Sequence, residues 1–297
     1  MSTTSTSAPE DGAAPESGTL AAGLYLVATP IGNARDITLR ALDILRDADV
    51  LAAEDTRRLR QLLAIHGVPL AGRRIIAHHD HNAAKSAGPI IAAIRDGKSV
   101  AYASDAGTPM IADPGYTLVD QAVAAGLPVH GIPGASAVLT ALTIAGLPTD
   151  RFLFAGFPPA PMGQRRTWLS DVAKIAATVV LYESPRRVNE TLGILCDIEP
   201  GRGIVLCREL TKRFEETLRG SVTDLLGRLQ DVELKGEVVL ILAPPAPVVI
   251  GDDDVRAALT RRLGHMSVKD AASEVAAELG VARKMAYQLA VEMGKDG

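Results

Sequence analysis

At 297 residues, 47% of them apolar but only 3% aromatic, the chain is too long for one small core and must build its cores from Ala, Val, Leu and Ile. No window approaches the roughly 18 uninterrupted apolar residues of a membrane span. The separated cysteines Cys196 and Cys207 form no CxxC pair, which points to a reducing, cytoplasmic setting and away from structural zinc. The formal charge of −4 looks wrong for a nucleic-acid binder. However, Glu10, Asp11 and Glu16 sit in the first 22 residues, and residues 252–297 hold eight acids against seven bases, so the intervening body is neutral. Its bases come in doublets, Arg57-Arg58, Arg73-Arg74, Arg165-Arg166, Arg186-Arg187 and Lys212-Arg213, which leaves room for a local basic face.

Residues 1–22 lack both the basic start and the apolar middle of a signal peptide and read as a disordered tail. A buried strand over 23–28 (GLYLVA) ends in TPIGN, residues 29–33. A helix follows, with Asp36 as N-cap and Ile37, Ala41, Leu42, Ile44 and Leu45 on one face. The strand over 50–53 runs into Glu54-Asp55-Thr56-Arg57-Arg58, and a helix over 60–66 stops at Gly67 with Pro69 beyond it. A strand over 74–77 and a helix over 83–95, closed by Gly97, come next. Residues 99–103 (SVAYA) form another buried strand and lead into SDAGTPMIADPG, residues 104–115. That stretch is too rich in Gly, Pro and Asp for strand or helix, and Thr108-Pro109 and Asp113-Pro114 stiffen it. Gly107 and Gly115 allow close backbone approach or positive φ. A helix over 116–125 and a strand over 128–132 precede GIPGASA, residues 131–137, which opens a helix over 136–145. Alternation of strand and helix predicts a parallel or mostly parallel sheet, and open sheets of this kind bind ligands at the carboxyl ends of their strands.

The pattern then changes. Strands are expected over 151–156, 178–182, 203–207, 214–218 and 236–242, and helices over 164–173, 186–196 and 224–229. Proline content and an acidic end mark 243–254 (APPAPVVIGDDD) as a linker. Residues 255–293 carry two helical patterns, broken near Met266-Ser267 and at Gly280. Val268, Ala271, Ala272 and Val275 share one face, and Met285, Ala286 and Leu289 follow the turn, as in a helix-turn-helix. This segment is not net basic, since 281–293 sets only Arg283 and Lys284 against Glu292. The expected division is a tail (1–22), an N-terminal α/β domain (23–135), a C-terminal α/β domain (136–242), a linker (243–254) and a helix-turn-helix-like module (255–297).

Several chemistries are excluded. There is neither GxxxxGK[ST] nor GxGxxG, so no P-loop or ordinary dinucleotide site is signalled. Gly134-Ala135-Ser136-Ala137-Val138 resembles a nucleophile elbow, but Val138 stands where the last glycine belongs, which makes Ser136 a helix cap or ligand hydroxyl. His78, His79, Asp80 and His81 are adjacent at a strand end and point in different directions, so no metal site is expected. What remains are three small-residue turns after buried strands. They suit a ligand held by backbone groups, such as a sulfonium methyl donor, whose charge vanishes on transfer. Such turns permit a methyltransferase without singling one out.

The segments VATPIGNARDITLRAL, AAEDTRR, SDAGTPMIADPG, GIPGASA, LYESPRRV, CRELTKRFEE and GEVVLIL follow in this order over residues 24–242. Together they resemble the tetrapyrrole methylase superfamily, and most closely its ribosomal-RNA branch; AEDTR and YESPRR are the most specific. The resemblance implies a class III S-adenosylmethionine methyltransferase, a homodimer of two-domain α/β subunits with the donor between the domains, and no metal in the transfer. It also implies 2′-O-methylation of a cytidine in the decoding centre of 16S rRNA, in the small ribosomal subunit. Carried over by position, Pro30 faces the donor, and Ala106, Gly107, Thr108 and Ile111 line its methionine and ribose side. Ser136 and Ala137 cap the carboxylate, while Glu183, Gly236 and Glu237 contact the adenosine from the other side. The chain departs from its relatives in the tail and at Ala34 and Ala112.

Removal of the hydroxyl proton falls to Asp105, Glu183, Glu209 or Lys212. Arg57, Arg58, Arg186 and Arg187 adjoin the specific motifs and are expected on RNA phosphates. Two other readings compete with RNA methylation: transfer to a small molecule such as a porphyrinoid, and a DNA-binding regulator that senses a nucleotide. The arginine doublets and the terminal module favour a macromolecular substrate, and the lack of a basic recognition helix disfavours the regulator.

Overall fold

The computed structural model describes residues 18, 20–79, 83–112, 116–246 and 251–294. Most of the expected tail, Asp80 and His81 of the histidine run, and Asp113, Pro114 and Gly115 of the long turn lie outside the described residues.

Five short strands, β1 (Gly23–Val27), β2 (Val50–Ala53), β3 (Ile75–Ala77), β4 (Ser99–Ala103) and β5 (Val129–Ile132), make an all-parallel sheet in the order β3-β2-β4-β1-β5. β4 is buried at every position, as its unbroken small apolar sequence requires. Helices α1 (Leu39–Asp47) and α2 (Thr56–Ile65) cover one face, with Ala41, Leu45, Leu59 and Leu63 packed on Tyr25, Leu51 and Ala101. Helices α3 (Ala83–Arg95) and α4 (Tyr116–Ala124) cover the other, with Ile90, Ile94 and Leu118 on Leu24, Val100 and Tyr102. The neighbours β1 and β4 therefore send their following helices, α1 and α4, to opposite faces. That reversal opens a crevice beyond their carboxyl ends, where TPIGN and SDAGTP emerge side by side.

Helix α5 (Ala137–Ala145) leads to a second sheet of β6 (Phe152–Gly156), β7 (Thr178–Glu183), β8 (Gly203–Arg208), β9 (Glu216–Ser221) and β10 (Val238–Leu242), in the order β6-β7-β10-β8-β9. Only β6 and β7 run parallel; the other pairings are antiparallel. The parallel expectation, drawn from the first half of the chain, holds for the first sheet. The short connection between β8 and β9 can form only an antiparallel pair. Helices α6 (Met162–Ala173), α7 (Val188–Ile198) and α8 (Val222–Leu229) pack on one face of this sheet. On the other face α5 lays Val138, Ala141, Leu142 and Ala145 against Val180, Val205 and Ile241, and Ile31 from the first sheet's TPIGN turn joins that cluster. The two sheets are thereby tied at the crevice.

Local chemistry moves several expected boundaries. Asp36 ends a 3-10 turn (Ala34–Asp36) instead of capping α1; the cap is Thr38, whose Oγ1 accepts from Ala41 N at 3.1 Å. Asp55 caps α2, so Arg57 and Arg58 lie in its first turn. Pro185–Arg187 is likewise a 3-10 turn, and α7 begins at Val188. The chain divides at Pro245 and Ala246. The second unit is three helices, α9 (Asp252–Leu263), α10 (Val268–Leu279) and α11 (Arg283–Met293), around Val255, Leu259, Val275 and Leu289. Asp252, Asp253 and Asp254 open α9 rather than ending a linker, where they complement the helix dipole.

Candidate active site

The turns after β1 and β4 are locked together. Thr29 and Gly107 exchange two backbone hydrogen bonds of 2.9 Å, Thr29 Oγ1 donates to Ser104 O at 3.1 Å, and Ser104 Oγ donates to Gly107 O at 2.7 Å. Thr108 Oγ1 reaches Ala135 O at 3.1 Å, which adds the GIPGASA turn. Gly107 has φ +77°, and a Cβ there would meet Ile31 Cγ2 at 3.3 Å. Met110 (φ +72°) and Ala112 (φ +63°) are also left-handed without being glycine. Each such residue costs roughly 1–2 kcal/mol, which the bonds around the loop must outweigh.

These turns form one wall of a cavity of about 340 Å³. Ile31, Ala106, Gly107, Thr108, Ile111 and Ala112 line it, with Ser136 and Ala137 at the start of α5. Ser136 caps that helix, its Oγ accepting from Leu139 N at 3.5 Å. The opposite wall comes from the second sheet: Tyr182, Glu183, Ser184 and Pro185 at the end of β7, and Gly236 to Val239 entering β10, with Phe157 at the rim. Phe157 meets Tyr182 edge to face at 5.4 Å. Every residue carried over for the donor lines this cavity except Pro30. Pro30 lies in an adjoining depression of about 250 Å³, with Gly32, Arg58, Gln61, Ser104 and Asp105. Ile31, between Pro30 and Gly32, faces the cavity instead. Sequence reasoning missed Ile31, Phe157, Tyr182 and Ser184. In a chain with four phenylalanines, an exposed Phe157 beside a glycine was the available signal.

The four expected proton acceptors differ sharply. Glu183 is enclosed: Oε1 accepts from Ser184 N at 2.7 Å and pairs with Arg187 at 2.8 Å, and Oε2 accepts from Thr191 Oγ1 at 2.6 Å. It anchors the YESPRR turn, with both oxygens engaged by the protein. Lys212 Nζ donates to Glu209 Oε1 at 2.8 Å and Glu237 Oε2 at 3.0 Å. Burial acts to lower the Lys212 pKa, but these bonds outweigh it and raise the pKa, so the amine stays protonated and cannot serve as a base. The Lys212 bond, against burial and aided by Glu237 N–H, holds the Glu209 carboxyl below its ordinary value. Asp105 lies in the depression; its Oδ1 accepts from Asp55 N at 2.7 Å and Oδ2 sits 3.6 Å from Arg58 Nε.

The arginine doublets divide the same way. Arg187 is the counter-ion of Glu183, an ion pair within the fold; Arg186 is exposed. Arg57 grips Asp55 through Nε at 3.1 Å and a terminal nitrogen at 2.7 Å. With the Arg57 N–H, this grip holds the Asp55 carboxyl far below the usual range. Arg165 is buried and donates to Pro159 O, Ala160 O and Glu190. Arg73 ties the carbonyls of Leu45, Ala48, Pro69 and Leu70. Half of each of these two doublets is thus structural. His78 Nδ1 lies 2.8 Å from Ser86 Oγ, in contact with Tyr102. Among the described residues no group of three His, Cys, Asp or Glu could hold a metal, and no helix is long and apolar enough to cross a membrane.

The family model described as Tetrapyrrole (Corrin/Porphyrin) Methylases matches residues 23–226. The chain belongs to the tetrapyrrole methylase family. Within it, "Ribosomal RNA small subunit methyltransferase I" of Mesorhizobium japonicum is 44% identical, covering 91% of this chain and 92% of that one. Its namesake in Halalkalibacterium halodurans is 39% identical, covering 90% and 93%. A second model, RsmI C-terminal HTH domain, matches residues 250–294, the three-helix unit of this methylase. The fold is shared with uroporphyrin-III C-methyltransferase from Thermus thermophilus, solved with S-adenosyl homocysteine: TM-score 0.52, 20% identity, 74% of this chain and 97% of that one.

Proposed function

We propose that this methylase transfers a methyl group from S-adenosylmethionine to the 2′-hydroxyl of a cytidine in the decoding centre of 16S rRNA. The relatives' shared name, at 39–45% identity, supports methylation of small-subunit ribosomal RNA. The observation that carries the donor is the cavity itself. Its wall needs a backbone without a side chain at Gly107, and its two faces carry Ser136 with Ala137 and Gly236 with Glu237, the segments expected on either side of the donor. S-adenosylmethionine supplies an electrophilic methyl on a sulfonium, and backbone carbonyls with apolar walls suit a charge that disappears on transfer.

The acceptor ribose enters through the depression beside the cavity. Asp105 receives the hydroxyl proton there: Glu183 is engaged by Ser184, Thr191 and Arg187, Lys212 is charged, and Glu209 is held by Lys212 and Glu237 outside the donor cavity. The bond from Asp55 N fixes the Asp105 carboxylate, and Arg58 at 3.6 Å is close enough to be drawn to a phosphate instead. Arg57, Arg58 and Arg186 are the phosphate ligands. The exposed Phe152 and Leu153 on edge strand β6 favour a homodimer, and the substrate implies a cytoplasmic enzyme.

The test is ribose-methylation mapping of 16S rRNA in cells lacking the gene. One 2′-O-methylcytidine of the decoding centre should vanish and return with the intact gene but not with Asp105→Asn. An unchanged methylation map would refute the reading.

A further inference from the structure

The loop joining β8 to β9 contributes no residue to the donor cavity, yet it touches both of its walls. Glu209 (φ +52°) and Thr211 (φ +62°) hold left-handed backbone in it without being glycine. Such conformations persist only where the surroundings over-determine them. On one side, Glu209 brackets Glu237: its N–H donates to Glu237 O at 3.0 Å, and its Oε1 accepts from Glu237 N at 3.1 Å. A side chain at Gly236 (φ +89°) would collide with that carboxylate. On the other side, Thr211 Oγ1 accepts from Asn33 N at 3.1 Å, and a Cβ on Gly32 would lie 2.5 Å from Lys212 Cγ. The loop is therefore wedged between the turn that carries Ile31 and the segment that forms the facing wall.

Lys212 sits at the centre of the wedge. Its stem packs on Gly32, and its ammonium joins the Glu209 and Glu237 carboxylates at 2.8 and 3.0 Å. We propose that Lys212 is a positioning residue for the methyl donor: by holding Glu237 it fixes the Gly236–Glu237 wall at its working distance from Ile31. This rests on the reading of the cavity as the donor site. Without the ammonium, two carboxylates face one another across the vacated point, and Glu237, with 73% of its side chain exposed, is the one free to swing outward. The Lys212–Glu237 pair, exposed at its Glu237 end, contributes little to global stability, so thermal unfolding of the variant reads the loss of the less exposed Glu209 pair and calorimetry reads the effect on the cavity.

The test compares Lys212→Met with Lys212→Arg. Titration calorimetry with S-adenosylmethionine and S-adenosylhomocysteine reads donor binding, and thermal unfolding and the single-turnover rate on undermethylated small subunits at saturating donor complete the comparison. Lys212→Met should weaken binding of both compounds about tenfold, the scale of a lost charged hydrogen bond. Lys212→Arg should stay within about threefold of wild type, because it keeps a cation between the two carboxylates. The saturating rate should hold within about threefold, because the ammonium touches no reacting atom. If Lys212→Met fails to fold, Lys212→Gln makes the same comparison, with a several-fold loss expected. Unchanged donor affinity in a folded variant overturns the proposal. So does a fall in saturating rate at unchanged affinity, or a Lys212→Arg variant as weak as Lys212→Met. Wild-type protein that binds neither compound would overturn the donor site itself, a separate failure.

Discussion

Replacing Arg187 by alanine leaves Glu183, whose side chain is wholly enclosed, without its ion-pair partner at 2.8 Å. Removing one member of a buried pair costs about 3–5 kcal/mol, because the remaining charge stays desolvated. Two features reduce that figure here. Arg187 keeps 24% of its side chain exposed, so water can enter its place, and the donors Ser184 N and Thr191 Oγ1 remain on the carboxylate. The expected loss is about 2–3 kcal/mol, or about 5–10 °C in Tm for a unit of this size. Arg186→Ala is the matched control: an exposed side chain, a stability change within about 0.5 kcal/mol, and a log–log salt slope of RNA binding flatter by about 0.7–0.9. Urea and thermal unfolding, with RNA binding across a salt series, measure both variants. Arg187→Ala at wild-type stability, or a salt slope flattened as much as by Arg186→Ala, would refute the assignment of Arg187 to the fold.

Gly107→Val should abolish donor binding while leaving circular dichroism native, because the position has φ +77° and faces Ile31 at the cavity wall; unchanged affinity in calorimetry would displace the site. Asp49 accepts from Ser99 N at 2.8 Å and Ser99 Oγ at 2.7 Å, and these bonds, the hydroxyl's first, lower its pKa. The resulting stability is present above the unfolded value of about 3.9 and is lost as pH falls through the lower folded value. Asp49→Asn should therefore be less stable than wild type at pH 7 and should converge with it in strong acid, whereas parallel unfolding midpoints across pH would contradict this. Donor affinity should be the same with and without EDTA; loss on chelation and recovery with one metal would show that a metal is required.

Much of the first sheet and its turns was legible because Gly and Pro punctuate them: SDAGTP interrupts an apolar strand with residues that can only turn. Ser136 was legible as a cap for a similar reason, since a hydroxyl before an apolar helix satisfies a free N–H. Strand direction in the second sheet was not, because a buried run such as VVLIL reads the same in either sense. The facing of TPIGN was hidden too. Pro30 and Ile31 part to opposite sides of one turn, and only the bridge between Thr29 and Gly107 decides which faces the cavity. The Asp run before α9 reads equally as linker or dipole complement. The roles of Glu183 and Arg187 depended on the turn between them, since a carboxylate four residues from an arginine is a pair only if the chain folds back. Nothing in CRELTKRFEE announces left-handed backbone at Glu209 and Thr211, which long-range contacts with Gly32 and Gly236 impose.

Methyl transfer to 16S rRNA is read by incubating the purified protein with methyl-labelled S-adenosylmethionine and small ribosomal subunits from cells lacking the gene, then locating the label. One label per subunit is expected, on the 2′-oxygen of a decoding-centre cytidine, and none with Gly107→Val. Label on a base, label outside 16S rRNA, or transfer to a porphyrinoid while the subunits stay unlabelled would contradict it.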